Sequence, residues 1–293
     1  MLRTLPEFRG RDRMVSFVLG ASLPPDGLHD CVFGPGLRFR VRYRDDGSLG
    51  ALFFLQYESP ALAPVLDAVL KPGHTFFDVG ANIGVYTGWA ARRVEPGGRV
   101  HAFEPVPATG DALSEFVTGN GLTNVLVVPK AVGARTGTVA IHVVPRASGL
   151  ASAVAARPGT SSSVSAPLIT LDDYVKEQGG RIPDLVKVDV EGYEFEVLQG
   201  ARQILAGARS PVVLFESDSR LLAEGRVSFG EIVRWLDAEV GYRCFALLPR
   251  GLDPIMPTED EPRSGNTLAL HPERHGEVVA RLRRCRFRRN QTC

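Results

Sequence analysis

The sequence lacks several features that define large classes of protein. No apolar run approaches the roughly 18 residues that a membrane span requires, so no membrane association is expected. The 4 cysteines (Cys31, Cys244, Cys285 and Cys293) form no CxxC pair, which argues against a disulfide framework or a zinc site. Scattered thiols of this kind are typical of a reducing compartment, and we therefore expect a cytoplasmic protein.

A strong excess of one charge is also absent. The chain has 34 Lys and Arg against 33 Asp and Glu, a formal net charge of +1, which neither favours nor excludes a nucleic-acid partner. The charge is uneven, because residues 281–293 contain six arginines and no acid. This basic tail is the basis of an alternative interpretation, nucleic-acid binding, against which stand the acidic remainder of the chain and the lack of a recognisable RNA-binding module.

The remaining composition fits an ordinary globular protein. The chain has 293 residues, of which 44% are hydrophobic, enough for one large domain or two small ones. We divide it into an N-terminal extension at residues 1–70, a main domain at residues 71–280 and the basic tail. In the main domain, short β-branched or aromatic runs alternate with amphipathic segments. This alternation predicts an α/β fold, a mostly parallel sheet with helices on both faces.

The N-terminal extension is predicted to contain a helix and a β-hairpin. Residues 1–30 are expected to form a helix and a Pro-Pro turn; their apolar part lacks the small-residue cleavage site of a signal peptide. Residues 37–43 alternate between apolar and basic side chains, which is the pattern of a half-buried strand. Residues 45–47 (Asp-Asp-Gly) predict a tight turn, and residues 52–57 the return strand.

Two further segments of the main domain matter for the comparison with the structure. Residues 146–166 are rich in Ala, Ser, Gly and Pro and contain almost no large apolar side chain, so we interpret them as a flexible loop or lid. Residues 193–205 repeat apolar side chains at helical spacing, which predicts one uninterrupted helix.

The most informative stretch is residues 75–84. A short buried strand at residues 75–79 leads into the glycines Gly80 and Gly84, and a helical pattern follows from Val85. A strand, a glycine turn and a helix in this order form the nucleotide-facing corner of a Rossmann-like sheet. There the glycines allow close approach of a ligand, and the helix N-terminus offers free N–H groups.

Acidic side chains end several of the predicted strands. Asp78, Glu104 and Asp189 each stand at the end of a core strand, with Glu191 just beyond, and Glu216 ends a fourth strand. The carboxyl ends of parallel strands meet at one edge of the sheet, so these carboxylates are expected to lie close together. Because clustered acids repel each other, we expect a ligand with hydroxyl groups or positive charge between them.

The spacing of these groups indicates which ligand. Glu104 follows the glycine turn by roughly twenty residues, where an acid accepts hydrogen bonds from ribose hydroxyls. The turn lacks both the GxGxxG spacing of dinucleotide sites, which disfavours NAD, and the lysine of a P-loop. A nucleoside without phosphates fits better. S-adenosylmethionine is the usual one, and its ammonium group would lie near the carboxylate of Asp78.

Four motifs together resemble the FkbM family of S-adenosylmethionine-dependent methyltransferases. They are FFDVGANIG (76–84), FEP (103–105), TLD (170–172) and VKVDVEGYE followed by VLQG (186–200). The resemblance covers about residues 60–217 and implies a class I methyltransferase fold. It also implies O-methylation, typically of a sugar, a polyketide or another secondary metabolite. The cofactor positions of the family are matched by Asp78, Gly80, Asn82, Gly84 and Glu104. The positions of its second signature are matched by Lys187, Asp189 and Glu191.

The role of the second signature is left open by the residues. Asp189 or Glu191 could take a proton from the acceptor hydroxyl. Alternatively, Asp189, Glu191 and Glu216 could hold Mg²⁺, which lowers the pKa of a bound hydroxyl. A third interpretation is that Lys187 only neutralises a carboxylate and that Glu191 caps the next helix.

The expected partner is a small hydroxylated acceptor. The alternative is an RNA methyltransferase or a nucleic-acid-binding protein that uses the arginine tail. The sequence does not define the oligomeric state, for which a homodimer is one option.

Overall fold

The computed structural model describes residues 28–33, 36–42, 62–143, 151–154, 162–248 and 251–285. The strands are β1 Leu28–Phe33, β2 Leu37–Arg42, β3 Thr75–Val79, β4 Arg99–Phe103, β5 Val125–Val128, β6 Ala131–Val132, β7 Gly137–Val143, β8 Ser162–Ile169, β9 Leu185–Val188, β10 Val212–Glu216, β11 Arg243–Leu248, β12 Gly251–Ile255 and β13 Asn266–Leu270. The helices are α1 Ala63–Val69, α2 Val85–Val94, α3 Pro107–Gly119, α4 Leu171–Glu177, α5 Glu194–Gln199, α6 Arg202–Ala206, α7 Ser219–Glu224, α8 Phe229–Val240 and α9 Gly276–Leu282. Within these ranges, none of the helices combines the length and apolar composition needed to cross a bilayer.

An eight-stranded sheet, in the order β12-β11-β13-β10-β9-β3-β4-β5, forms the centre of the molecule. Strands β5, β4, β3, β9 and β10 are parallel, whereas β13 runs antiparallel to both β10 and β11. The chain builds outward from β3 through β4 and β5, and it returns to the other side of β3 with β9. The strand order therefore reverses between β3 and β9, which is where open α/β sheets bind ligands.

Successive side chains of the central strands point to opposite faces of the sheet and enter two separate cores. On β3, Phe76 packs in one core with residues of α1, α2 and α3, and Phe77 packs in the other with residues of α4, α5 and α8. Both side chains are fully buried. Strands that are covered on both faces explain the nearly continuous apolar runs in the sequence, and the predicted α/β architecture is confirmed.

A small three-stranded sheet, in the order β6-β8-β7, packs beside the main sheet. Residues 162–166 belong to its strand β8. The prediction of a flexible loop over residues 146–166 is therefore wrong at the C-terminal end of that segment. This part pairs antiparallel with β7, and Ala166 is buried in a third apolar cluster. Most of residues 162–166 are exposed and only Ala166 is buried, so the small side chains of this strand give the same composition as a loop. Residues 146–150 and 155–161 of the predicted loop lie outside the described residues.

The N-terminal hairpin differs from the one predicted. The strand at residues 37–42 pairs antiparallel with residues 28–33. Residues 28–30 belong to the stretch predicted as a helix and a Pro-Pro turn, and that prediction is wrong for them. The predicted turn at 45–47 and return strand at 52–57 lie outside the described residues, as do residues 1–27 of the predicted helix. The alternation of the strand is confirmed where it can be seen, because Leu37 and Phe39 are buried while Arg38 and Arg40 are exposed.

The helix predicted over residues 193–205 is in fact two helices, α5 and α6. Gly200 and Ala201 separate them, and a Cβ at Gly200 would lie 2.0 Å from the carbonyl oxygen of Gly133. The end of α5 therefore lies close to the backbone that leads into β7. Asp172 secures the second helix by accepting hydrogen bonds from the N–H groups of Gln203 and Ile204, both at 2.9 Å.

Candidate active site

The turn after β3 is held to the end of β4 by backbone hydrogen bonds. The N–H groups of Gly80 and Ala81 donate to the carbonyl oxygen of Phe103 at 3.1 and 3.0 Å. Gly80 has a φ of +78°, and a Cβ there would lie 1.8 Å from the carbonyl oxygen of Asp189 at the end of β9. The sequence suggested that this glycine admits a ligand. In the structure the neighbouring strand end alone already requires it.

Glu104 fastens the other end of the same turn. Its Oε2 accepts the N–H of Asn82 at 3.0 Å, and its Oε1 accepts the N–H of Val106 at 3.0 Å. Asn82 adopts a left-handed conformation with φ of +50°, which Asn tolerates better than most residues. Burial raises the pKa of Glu104 to about 7, against the lowering effect of the two N–H groups. Each carboxylate oxygen keeps a further lone pair, so the side chain can still accept two hydroxyl groups.

A buried ion network lies beneath the turn. The Nζ of Lys187 donates to Asp189 Oδ2 at 2.9 Å and lies 3.7 Å from Asp78 Oδ1. Asp78 has no exposed surface, and its Oδ2 accepts the hydroxyl of Thr87 at 2.7 Å. Burial raises the pKa of Asp78, while the charge of Lys187 lowers it. The ammonium beside Asp78 is thus that of Lys187, and a contact between Asp78 and the ammonium of a cofactor stays a prediction.

Three carboxylates meet at the ends of β9 and β10. Asp189, Glu191 and Glu216 each place one oxygen within 4.8 Å of the others, and all three are partly exposed. Burial, followed by the charges of Asp189 and Glu191, raises the pKa of Glu216 far above its ordinary value. The Glu216 Oε2 is buried and has no hydrogen-bond partner in the described part of the chain. The cluster therefore requires a proton or a cation to offset its negative charge.

Glu194 organises the turn that carries Glu191. It lies in the VKVDVEGYE motif but is not one of the predicted site residues. Its buried carboxylate accepts the N–H of Val190 at 3.0 Å and that of Gly192 at 3.0 Å. These N–H groups precede α5, whose N-cap Tyr193 makes no side-chain cap hydrogen bond, so Glu194 holds the turn and does not cap the helix. An acid in the first turn of a predicted helix is the signal that could have identified it.

The structure brings the predicted site residues together in two adjoining groups. Gly80, Asn82, Gly84 and Glu104 form the turn over β3 and β4, whereas Asp189, Glu191 and Glu216 form the cluster over β9 and β10. Asp78 and Lys187 lie below both groups, in the interior. Their roles toward a ligand stay predictions.

Comparisons with known proteins show the family of the chain. A family model described as the methyltransferase FkbM domain matches residues 78–244, more than half of the chain. Hexuronic acid methyltransferase AglP of Haloferax volcanii is 30% identical, over 52% of this chain and 62% of that protein. The 31-O-demethyl-FK506 methyltransferase FkbM of Streptomyces tacrolimicus is 30% identical, over 45% of this chain and 60% of its own. The similarity thus spans about three fifths of each of these relatives.

Among solved structures, the methyltransferase FkbM of Methylobacillus flagellatus KT is similar to this chain. The two share 17% sequence identity with a TM-score of 0.42, over 69% of this chain and 47% of that one.

Proposed function

Because the chain belongs to the FkbM methyltransferase family, we propose that it transfers a methyl group from S-adenosylmethionine to a hydroxyl group of a small-molecule acceptor. The proposal rests on one observation: the turn over β3 and β4 and the carboxylate cluster over β9 and β10 adjoin where the strand order reverses. There, the turn held by Glu104 adjoins three carboxylates on the next strands. A donor and an acceptor that occupy neighbouring strand ends would have their reacting atoms close together, as methyl transfer requires.

The turn over β3 and β4 is the proposed cofactor site. Glu104 would accept the ribose hydroxyls with the lone pairs that Asn82 and Val106 leave free. The backbone of Gly80 to Gly84 would border the rest of the molecule, and the pattern offers no cradle for phosphates. S-adenosylmethionine, when bound, supplies an electrophilic methyl group.

The carboxylate cluster is the proposed acceptor site, and Asp189 is the proposed base. Its Oδ2 is held by Lys187, and its Oδ1 has no hydrogen bond within the described residues. That oxygen could therefore take the proton of an acceptor hydroxyl. Lys187, which is only 3% exposed in its side chain, would orient Asp189 and offset its charge without touching the acceptor.

The same cluster fits a magnesium ion. Carboxylate oxygens are the ligands that Mg²⁺ prefers, and the buried Oε2 of Glu216 lacks a partner in the described ranges. Asp189, Glu191 and Glu216 would hold the ion, which would lower the pKa of a bound hydroxyl. A proton shared within the cluster is the alternative that the same charges allow.

For the acceptor, we propose a hydroxyl group on a sugar, a polyketide or a similar metabolite. One relative is named for a hexuronic acid and the other for a demethylated FK506. Both names describe small molecules, although the two acceptors differ greatly in size and polarity. No described feature favours the nucleic-acid alternative, and residues 286–293 of the arginine tail lie outside the described ranges.

Calorimetry tests the cofactor. We expect S-adenosylmethionine and S-adenosylhomocysteine to bind with a stoichiometry of one, and NAD not to bind. Binding of NAD without S-adenosylmethionine would contradict the proposal.

A panel of acceptors tests the reaction. Glucuronic acid and a hydroxylated macrolide serve as O-acceptors, a primary amine of similar size serves as the N-acceptor control, and release of S-adenosylhomocysteine is measured with and without Mg²⁺. We expect turnover with at least one O-acceptor and none with the amine. Methylation of the amine, or of RNA with a steep salt dependence of binding, would replace the proposed acceptor class.

A further inference from the structure

Glu191 has a backbone conformation that side-chain-bearing residues rarely adopt. Its φ is +56°, and the next residue, Gly192, has φ of +100°. A left-handed conformation costs free energy in any residue with a Cβ, and such outliers persist only where their surroundings enforce them. Here the outlier is one of the three clustered carboxylates. Contacts around Glu191 must therefore enforce its left-handed conformation.

Some of these contacts lie within the turn itself. The Glu194 carboxylate holds the N–H groups on both sides of Glu191, those of Val190 and Gly192. Gly192 is also enclosed by α7, because a Cβ there would lie 2.5 Å from the carbonyl oxygen of Leu221. These contacts fix the two ends of the turn, but they leave the carbonyl group of Glu191 unaccounted for.

Ser152 supplies a contact to this carbonyl, from a segment 39 residues earlier in the chain. Its hydroxyl donates to the carbonyl oxygen of Glu191 at 2.8 Å. Ser152 is 1% exposed, and two backbone hydrogen bonds to His142 on β7, at 2.8 and 3.1 Å, fix it to the small sheet. The N–H of Val154 donates to the same hydroxyl at 3.2 Å, which orients it further.

We propose that Ser152 is a positioning residue: by holding the Glu191 carbonyl, it fastens the small sheet to this turn and keeps the Glu191 carboxylate beside Asp189 and Glu216. The proposal rests on the proposed function, since it gives Glu191 a part in the reaction. Without the hydroxyl, the peptide after Glu191 keeps the hydrogen bond from its N–H to Glu194 but loses the one that holds its carbonyl, so the left-handed conformation of Glu191 is less restrained. The carboxylate would then leave the cluster while the cofactor turn, which is held by Glu104, stays in place.

The first experiment compares Ser152→Ala with Ser163→Ala in the full chain. Ser163 lies on β8 opposite His142 and is exposed, so its loss removes a hydroxyl near the same strand without touching the turn. With glucuronic acid or the macrolide as acceptor, we expect Ser152→Ala to lower kcat about tenfold or more, with an unchanged Kd for S-adenosylmethionine. Ser163→Ala should change neither value. A loss of cofactor affinity equal to the loss in kcat would overturn the proposal.

A double-mutant cycle separates positioning from general stability. If Ser152 acts through the Glu191 carboxylate, Ser152→Ala should cause no further loss of kcat in a Glu191→Gln background. Multiplicative losses in the double variant would show that Ser152 acts by another route, and the assignment would be wrong.

Hydrogen exchange provides a measurement that needs no acceptor. In Ser152→Ala, the amides of Val190 and Gly192 should exchange at least tenfold faster than in the unmodified protein, and Ser163→Ala should leave them unchanged. Unchanged exchange in Ser152→Ala would refute the link, even if methyl transfer is established. Faster exchange in a protein that binds no S-adenosylmethionine would instead place the error in the proposed function.

Discussion

Lys187 shows how much one buried side chain can hold together. Its ammonium contacts Asp189 and lies close to Asp78, on two neighbouring strands, and it also lies 4.9 Å from the ring centre of Tyr86. Taking these charges out of water is costly, and only their mutual attraction compensates for it. Removing one member is therefore far more harmful than removing all of them.

The substitution Lys187→Met keeps the length of the side chain and removes its charge. We expect the free energy of unfolding, measured with urea, to fall by about 3–5 kcal/mol, because the fully buried Asp78 and the partly exposed Asp189 lose their counter-charge. Lys176→Met is the matched control, since Lys176 is 61% exposed in its side chain and pairs only at the surface with Asp173. It should change stability by less than about 0.5 kcal/mol. Equal effects of the two substitutions would contradict the buried network.

Glu104 predicts a pH dependence of cofactor binding. Burial raises its pKa from an ordinary value of 4.5 to about 7, so the carboxyl is protonated below this pH and ionised above it. The ionised form is the stronger acceptor for ribose hydroxyls. Affinity for S-adenosylmethionine should therefore rise about tenfold between pH 6 and pH 8, as the ionised fraction does.

The control is Glu104→Gln, whose amide does not titrate in this range. Calorimetry on both proteins cancels the titration of the ligand itself, and the slope should be present only with Glu104. A slope of equal size in the Gln variant would assign the pH dependence to another group.

At the scale of elements, periodicity predicts where helices and strands lie but does not show where they are interrupted. The strand at 75–79 has the predicted bounds, and the helix after it begins at Val85 as predicted. The break between α5 and α6 was missed because the apolar spacing continues through it. The break includes a glycine because the carbonyl oxygen of Gly133, a residue distant in sequence, occupies the space that a Cβ at position 200 would need.

Gly200→Ala tests that explanation. The added Cβ would lie 2.0 Å from the carbonyl oxygen of Gly133, and backbone cannot move aside as a side-chain tip can. We expect a loss of about 3 kcal/mol or more in a urea titration. Gly119→Ala, at the end of α3 with no atom near the new Cβ, should be neutral or stabilising by up to about 1 kcal/mol. A mild effect at position 200 would contradict the close approach of the Gly133 carbonyl oxygen.

At the scale of the molecule, the parallel sheet divides the work between its two halves. The half that contains β3 and β4 presents Glu104, and the half that contains β9 and β10 presents Asp189 and Glu216. Within the sheet the two halves are joined by the β3–β9 pair, and Glu104 and Asp189 stand on opposite sides of this junction. The proposed donor and acceptor sites should be separable by mutation.

We therefore expect opposite signatures from two substitutions. Glu104→Ala should weaken S-adenosylmethionine binding about 10- to 100-fold, because it removes hydrogen bonds to a charged group. Asp189→Asn should lower kcat about 100-fold or more, the usual contribution of a positioned base, and change the Kd by less than about threefold. Calorimetry and S-adenosylhomocysteine release measure the two quantities. Equal losses of cofactor affinity in both variants would refute the division.

The sequence by itself determined the α/β architecture and the set of carboxylates at one edge of the sheet. Both follow from local patterns: buried strands between amphipathic helices, and an acid at the end of each of several strands. Glu104 could be assigned to the turn because the turn follows β3 and Glu104 follows β4. These strands are consecutive, and a parallel crossover places consecutive strands side by side.

Only the tertiary structure decided how these side chains are held. The contact of Ser152 with Glu191, the enclosure of Lys187 between Asp78 and Asp189, and the pairing of β8 with β7 join residues on separate elements. Local periodicity carries no information about such partners, because each depends on how elements pack after the chain has folded. For the same reason, the small residues of β8 could be read as a loop until their neighbouring strand was known.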